Sequence, residues 1–452
     1  MASIPQTRLF SWKHIDARSD LDRLRMVLKV IPDEALMRRL EAIRGKGRDA
    51  YPVRAVWNSL LAGVVYQHPS VASLRRELLR NGELRQLCGF DPLKGAGAVP
   101  SESAYTRFVR NLFRCASEVE AIFDALLKRL GELLPDLGTH LAVDSKAISS
   151  AGKPSNKASD GRRDTEGNWG IKTSRGARED GSVWERVKSW CGYKLHLIVD
   201  STYELPLACE VTRASVSDTT RLLPMMKGIK ERHGWVIERS KDLIGDKGYD
   251  SQENNRELYD TYGIIPLIAI RHDWKDGEKT RALYPDRVDT IVTDEEGSIF
   301  CVRRSTRDAS QIETIPMAFY GFERDRKSVK YRCPAAAYGY ACAEWGECSC
   351  SAYGRIVRVP LEMDRRRFVP VPRGSYKWKR LYKGRTAAER VNSRLDVSFG
   401  FERHFIRGLA KMRLRVGMAL VVMLAMALGS IEVGEQYRMR SLVWSTALDR
   451  AA

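Results

Sequence analysis

Three acidic residues occupy positions where a site for phosphodiester chemistry would need them. Asp144 lies inside the apolar run LAVDSKAI, and Asp246 directly follows the apolar run DLIG. A carboxylate among buried residues needs a partner or a metal ion, because burying an unpaired charge is costly. Glu389 belongs to the polar face of a helical pattern, RTAAERVNSRLD. Carboxylates of this kind are typical ligands of the divalent cations that activate water or a 3′-hydroxyl for attack on phosphate.

Each of these acids, taken alone, is more commonly a turn, cap or ion-paired residue. Gly245 and Gly248 flank Asp246 and permit a sharp turn with close backbone approach. If the strands carrying Asp144 and Asp246 are neighbours in one sheet, the two carboxylates meet there, and the later helix can present Glu389 to them. The combination of the three therefore favours a catalytic site. Asp250, in the same stretch GDKGYDS, has no such support and is interpreted as a turn or helix-cap residue.

The elements that must position these acids follow from the apolar patterns. Residues 1–138 show helical spacing, as in YTRFVRNLF, where arginines alternate with an apolar face. From residue 139 the pattern changes to short apolar runs that predict three consecutive antiparallel strands, a helix, a strand, a helix and a final strand. This order predicts an α/β fold with a mixed central sheet. The segment 151–190 is rich in Gly, Ser, Arg and Lys, which predicts an exposed, mobile loop.

Four regions result from these patterns. We predict an all-helical DNA-binding domain at 1–138, the first part of a catalytic domain at 139–271, a β-rich insertion at 272–375 and the second part of the catalytic domain at 376–452. The apolar stretch at 417–429 is shorter than a membrane span requires, so it is interpreted as a buried core helix and no membrane partner is expected.

The charge of the chain indicates its partner. Lysine and arginine number 76 against 57 acidic residues, which gives a net charge of +19 and an isoelectric point near 9.6. A strongly basic protein favours polyanions, since cationic side chains release counterions when they bind phosphates. No apolar segment of signal-peptide length begins the sequence. We therefore expect a cytoplasmic protein, associated with the nucleoid when bound to DNA.

The motifs around the three acids resemble those of a known family. VDSK at Asp144, GDKGYDS at Asp246, the spacing Y-x2-R-x3-E that ends at Glu389, and KLHLIVD between the first two are similar to the DDE transposases of bacterial insertion sequences. The resemblance implies an RNase H-like catalytic domain in which Asp144, Asp246 and Glu389 bind two Mg²⁺ (or Mn²⁺) ions. It further implies cleavage of double-stranded DNA at the element's ends, strand transfer into target DNA, and a homodimer or higher multimer on DNA.

The resemblance also assigns phosphate contacts. Tyr382 and Arg385, just before the catalytic glutamate, would hold DNA near the scissile bond, and Lys247 is a weaker candidate for the same role. The alternative is that Tyr382 packs against the protein and that Arg385 pairs with Glu389 one helical turn away.

One position departs from the family's pattern. A lysine or arginine usually follows the glutamate by seven residues, and here Asp396 stands at that position. Arg390 or Arg394 is predicted to supply the missing phosphate contact.

Four cysteines lie close together in the predicted insertion, with the spacing C-x8-C-x5-C-x-C: Cys333, Cys342, Cys348 and Cys350. Four thiolates satisfy tetrahedral Zn²⁺, and a short segment with few apolar residues gains stability from such a site. The spacing lacks paired C-x2-C knuckles, so structural zinc, reduced thiols and a labile disulfide all remain open.

Two other functions fit the same residues. A nuclease of the same fold would cut DNA without joining it, since cleavage and strand transfer use the same carboxylates with different nucleophiles. An inactive transposase-derived protein would bind DNA only. The presence of all three acids counts against the second alternative.

Overall fold

The computed structural model describes residues 20–45, 51–152, 163–178, 180, 182–286, 289–308, 310–339, 341–343, 348 and 353–440. Within these residues the protein is a mixed α/β fold. Helices occupy the first part of the chain: α1 (Asp20–Val30), α2 (Glu34–Arg44), α3 (Val53–Val65), α4 (Val71–Arg80), α5 (Gly82–Cys88), α6 (Glu102–Phe113) and α7 (Ala116–Leu133).

Local signals explain where these helices begin and how they pack. The Ser101 hydroxyl accepts a hydrogen bond from the backbone N–H of Ala104 and caps α6. The same helix buries Tyr105 and Leu112, which are seven residues apart and lie on one face. The Tyr105 hydroxyl lies 2.8 Å from the Ser59 hydroxyl on α3, so the polar end of this buried ring is also satisfied.

A six-stranded sheet follows the helices. Its strands are β1 (His140–Ser149), β2 (Asn168–Ala177), β3 (Val183–Asp200), β4 (Pro206–Arg213), β5 (Asp242–Gly245) and β6 (Ile265–Ile268). The second half of β3 pairs antiparallel with both β1 and β4, while β1–β5 and β5–β6 are parallel pairs. The body of the sheet therefore has the order β4-β3-β1-β5-β6. Helices α8 (Leu222–Arg232), α9 (Gly234–Arg239) and α10 (Gln252–Asp260) connect its strands.

The predicted adjacency of the first and fourth apolar strands is confirmed. In the parallel pair of β1 and β5, Val143 lies beside Gly245. Asp144 and Asp246 are the next residues along the chain, so both stand at the same end of the β1–β5 pair.

The prediction of a loop at 151–190 is wrong for its second half. Residues 168–177 form β2, which pairs antiparallel with residues 183–192 of β3. The abundant Gly, Ser, Arg and Lys suggested a loop, and VWERVKSW has no regular alternation of apolar and polar residues that would indicate a half-buried strand. Backbone hydrogen bonds between the strands do not depend on side-chain composition. Residues 153–162 lie outside the described part of the chain.

Two small sheets lie within the region predicted to be a β-rich insertion. The first contains β7 (Arg281–Ala282), β8 (Ile291–Thr293), β9 (Ile299–Arg304) and β10 (Ile312–Pro316), and the second contains β11 (Ala318–Glu323), β12 (Ser328–Arg332) and β13 (Ile356–Pro360). A short helix, α11 (Pro334–Tyr338), follows β12. These sheets have a hydrophobic cluster separate from the main core, with Ile291, Val329 and Val359 at its centre.

The last described segment contains α12 (Tyr376–Tyr382), α13 (Thr386–Phe399) and α14 (Leu409–Glu432). By length and composition α14 could cross a membrane, but 78% of its most apolar window is buried inside the protein. It packs against α1, α3, α7 and β4, and it joins the N-terminal helices and the sheet in one continuous core. This arrangement agrees with its interpretation as a core helix.

Candidate active site

Two of the predicted catalytic acids meet at the end of the sheet where β1 and β5 lie side by side. Asp144 is partly buried, and the pKa of its carboxyl is raised to about 6 by this burial and by the negative charge of Asp246. The Asp246 carboxylate accepts a hydrogen bond of 2.8 Å from the backbone N–H of Gly248. A side chain at position 248 would press on that carboxylate, because its Cβ would lie 2.8 Å from Asp246 Oδ1. The glycine therefore permits the tight turn after Asp246.

Helix α13 contacts Asp144 and its strand with the polar face predicted from its sequence. The Asn392 amide donates a hydrogen bond of 3.1 Å to Asp144 Oδ2. One turn later, Asp396 accepts a hydrogen bond from Lys146, which lies two residues beyond Asp144 on β1. Glu389 precedes Asn392 by three residues on the same face, and its side chain is about half exposed, at 48%. Glu389 is thus on the helix face that contacts the strand of Asp144.

The donor atoms at this position fit a hard divalent cation. Asp144 and Asp246 supply carboxylates, and the Asn392 carbonyl oxygen is buried without a hydrogen-bond partner in the described structure. Mg²⁺ prefers oxygen ligands and commonly binds one or two protein carboxylates while keeping its other ligands as water. As the side chains are placed, the described residues contain no group of three or more His, Cys, Asp or Glu side chains that could hold a metal ion. Glu389 is instead 2.8 Å from the Arg385 guanidinium.

The residues predicted to hold DNA phosphates make the contacts of the alternative interpretation. Tyr382 stacks on Trp378 with 4.3 Å between ring centroids, and Arg385 pairs with Glu389. Burial raises the pKa of the Tyr382 hydroxyl, so this side chain stays neutral at ordinary pH. Both residues nevertheless lie near the two aspartates. The charge of Asp246 acts on Tyr382, and the charge of Arg385 acts on Asp144. Their binding of DNA stays a prediction.

The arginines predicted to replace the missing basic residue point elsewhere. Arg390 Nε lies 2.6 Å from the Glu204 carboxylate, and Arg394 bonds to the Glu204 carbonyl oxygen from a largely buried position. Burial lowers the pKa of Arg394 to about 10. These contacts occupy the side of α13 that faces away from Asp144, so the phosphate contact predicted for Arg390 or Arg394 has no support in the structure. Lys247 is exposed, and its role stays a prediction.

Two known protein families match most of the sequence. The sequence matches the family described as "Transposase DDE domain" over residues 135–425, and the family "Transposase domain (DUF772)" over residues 13–111. The protein belongs to the DDE transposase family. Residues 135–425 include all three predicted catalytic acids.

Two individual proteins are similar to this transposase. A putative transposase for insertion sequence element IS402 of Burkholderia cepacia is 39% identical over 83 residues, which cover 18% of the chain and 38% of that relative. The chain thus spans well under half the length of this curated relative. A cryo-EM structure of the piggyBac transposase synaptic complex with hairpin DNA has a TM-score of 0.36 and 11% identity, over 96% of this chain and 80% of the other. This structural similarity is too low to define the fold.

Asp218 is a residue of the site that the sequence did not reveal. Its carboxylate accepts hydrogen bonds of 2.9 Å from Ser145, next to Asp144, and of 2.9 Å from Lys194 on β3. A Cβ at position 248 would lie 3.3 Å from it, so it also contacts the turn that follows β5. Asp218 therefore links three elements of the protein that carry or flank Asp144 and Asp246. The sequence has no signal for this contact, since it joins residues far apart in the chain.

Asp250 ends the 3-10 turn Lys247–Tyr249, as its position suggested, but its side chain also has a structural role that the sequence did not indicate. Its side chain is fully buried and accepts hydrogen bonds of 2.8 and 3.0 Å from the Arg366 guanidinium. The backbone N–H of Arg271 donates a further bond of 2.9 Å, and Arg366 also binds Asp273 at 2.6 Å. Arg366 lies within the predicted insertion, so this network ties the insertion to the segment that carries Asp246.

Three of the four predicted cysteines lie together, and a further cysteine that the prediction did not include lies beside them. Cys301 on β9 joins Cys333, Cys342 and Cys348 around a cavity of about 30 Å³, while Cys350 lies outside the described residues. Burial, with a smaller effect of the three neighbouring thiols, raises the pKa of Cys301 to about 11. Since the described residues contain no metal-holding group, the predicted zinc site has no support in the structure.

Proposed function

We propose that this protein is a DNA transposase that cleaves the ends of its mobile element and joins the freed 3′-hydroxyls to target DNA. Asp144, Asp246 and Glu389 are the catalytic residues in this proposal. The observation that carries it is the meeting of Asp144 and Asp246 on neighbouring parallel strands, beneath the helix face that presents Glu389.

The sheet order supports an RNase H-like catalytic domain as part of this proposal. Three antiparallel strands followed by two parallel ones have the order β4-β3-β1-β5-β6, with helices in the connections. In this proposal residues 1–138 are a helical DNA-binding domain, the catalytic domain comprises 139–271 and 376–452, and 272–375 are an insertion. The net charge of +19 supports binding of double-stranded DNA at both the element's ends and the target.

The residues of the site have different roles in the proposed reaction. Bound Mg²⁺ or Mn²⁺ would supply Lewis-acid activation of the phosphate and of the attacking hydroxyl. Asp144 and Asp246 would hold the cations, and Asn392 fixes the orientation of the Asp144 carboxylate through its amide. In the free protein the Arg385 guanidinium neutralises Glu389. A DNA phosphate that binds Arg385 would compete for this guanidinium and release the Glu389 carboxylate to the site.

The proposal includes an oligomeric state on DNA and a cellular location. Joining two element ends to one target requires two active sites near each other, so we propose a homodimer or higher multimer on DNA. The protein would act in the bacterial cytoplasm, at the nucleoid.

The test is a cleavage and joining assay with purified protein, Mg²⁺ and labelled DNA that carries the repeats flanking the gene. Asp144→Asn, Asp246→Asn and Glu389→Gln should each reduce both reactions by roughly 10³-fold, since loss of a metal-activating ligand removes about 4 kcal/mol of transition-state stabilisation. Glu238→Gln, at an exposed glutamate in α9, is the matched control and should react like the parent.

The outcomes separate the proposed function from its rivals. Cleavage without joining by the parent protein would make it a nuclease of the same fold. DNA binding without either reaction would make it an inactive DNA-binding protein. If any one of the three variants cleaves and joins like the parent, the catalytic assignment is wrong.

A further inference from the structure

A two-stranded ribbon extends from the sheet beside the catalytic carboxylates. Among the strands that the structure describes, residues 183–190 of β3 pair with β2 alone, whereas β1 and β4 pair with β3 from residues 192 and 193 onward. Residues 183–189 are exposed throughout. An isolated two-stranded ribbon is marginally stable in water. The ribbon, meaning β2 with residues 183–192 of β3, therefore presents both faces to solvent and gains little from the core.

The register of the pairing assigns its side chains to two different faces. Lys172 lies opposite Lys188, and Arg186 is two residues from Lys188, so these three basic residues share one face. Ile171 and Val187 belong to the other face and are 69% and 58% exposed. The ribbon thus has a basic face and an apolar face.

Two tryptophans on the basic face cover glycines of the opposite strand. Trp190 lies across Gly170, and Trp184 lies across Gly176, each on the opposite strand of a cross-strand pair. A Cβ at position 176 would lie 2.7 Å from the Trp184 ring. Aromatic rings that cover glycines in this way hold a strand pair in register. The lysines between the two tryptophans therefore have fixed positions along the ribbon.

The basic face carries charge that the described protein does not neutralise. Two like charges directly opposite each other in a strand pair are destabilising. Lys172, Lys188 and Arg186 form no ion pair within the described ranges of the chain, although basic residues elsewhere in the protein commonly do. A polyanion bound along this face would relieve the repulsion between Lys172 and Lys188.

The basic face also lies near the catalytic carboxylates. The pKa of Asp144 is raised by burial and by Asp246, and the positive charge of Lys172 opposes that rise. Lys172 is therefore within electrostatic reach of Asp144, and Lys188 lies beside Lys172 on the same face.

We propose that the basic face of the ribbon, with Lys172, Lys188 and Arg186, binds the phosphate backbone of double-stranded DNA next to the catalytic carboxylates. The inference rests on the function proposed above and adds a binding surface to it. Contacts of this kind are independent of DNA sequence, and each one that is lost lowers the salt dependence of binding by about one unit of slope.

The experiment uses the full-length protein, EDTA, and a fluorescent duplex of about 30 base pairs with mixed sequence, titrated at several salt concentrations. The test variant is Lys172→Gln with Lys188→Gln, and the control is Ile171→Glu with Val187→Glu. Both change the net charge by two units at adjacent exposed positions, but on opposite faces. The melting temperature of each variant establishes that it is folded.

The lysine variant should bind roughly tenfold more weakly, and the slope of log affinity against log salt should fall by about 2, while the control keeps the parent's slope. Equal loss in both variants, or parent-like binding by the lysine variant, would overturn the ribbon proposal alone. A parent protein that does not bind the duplex would overturn the proposed function as well.

Discussion

Asp246 and Asp250 are four residues apart in the stretch GDKGYDS, yet their surroundings are opposite. Asp250 is fully buried, and Arg366 and two backbone or amide donors satisfy it. Asp246 has a backbone hydrogen bond from Gly248 and a second carboxylate, Asp144, as its charged neighbour. Asp250 is paired with a cationic side chain of the protein, whereas in the proposed function Asp246 would be paired with a bound divalent cation.

This contrast separates a structural acid from the one proposed to be catalytic. A buried acid that stabilises a fold brings its own positive partner, because an unpaired buried charge is costly. Two neighbouring carboxylates without a cation between them repel each other and destabilise the free protein. Such a cost is typical of functional sites, where a bound ligand offsets it.

The largest effect on stability is expected at the paired acid. Arg366→Ala should lower the free energy of unfolding by about 3–5 kcal/mol, because it leaves the Asp250 charge buried without its partner. Denaturant unfolding of the full chain measures this change. Arg358→Ala is the matched control, since Arg358 pairs with Glu323 at an exposed position and should cost less than about 1 kcal/mol. Equal losses in the two variants would remove the distinction between the two acids.

A smaller effect of opposite sign is expected at the proposed catalytic pair, Asp144 and Asp246. Asp144→Asn should raise the free energy of unfolding in EDTA by about 1 kcal/mol, because it removes a partly buried charge beside Asp246. The introduced amide would keep an oxygen to accept the hydrogen bond from Asn392. Thermal unfolding without divalent cations measures the change. A variant that is less stable than the parent would show that Asp144 has a structural role instead.

Much of the fold follows from local patterns in the sequence. The apolar runs that contain Val143 and Ile244 predict two buried strands, and their adjacency follows from the order of the elements. The periodicity of RTAAERVNSRLD predicts the face on which Glu389 and Asn392 lie. These features depend on short stretches of sequence, so local patterns are sufficient to predict them.

The parts of the structure that the sequence did not predict depend on contacts between residues far apart in the chain. Ser145, which bonds to Asp218, and Arg366, which bonds to Asp250, are 73 and 116 residues away from these acids, and no spacing rule connects such positions. Arg394 has the residue type expected for a phosphate contact, but its orientation on α13 directs it to Glu204. The ribbon was not predicted, because a segment with a loop-like composition can still form a strand through backbone hydrogen bonds.

Binding of Mn²⁺ tests the catalytic assignment without relying on DNA, and the electron paramagnetic resonance signal of the free ion measures it during titration of the purified protein. We predict that Asp246→Asn weakens binding by at least about tenfold, since it removes a charged ligand. Asp325→Asn, at an exposed acid of the insertion, should leave the affinity unchanged. If the parent and Asp246→Asn bind Mn²⁺ equally, Asp246 is not a metal ligand and the catalytic assignment is contradicted.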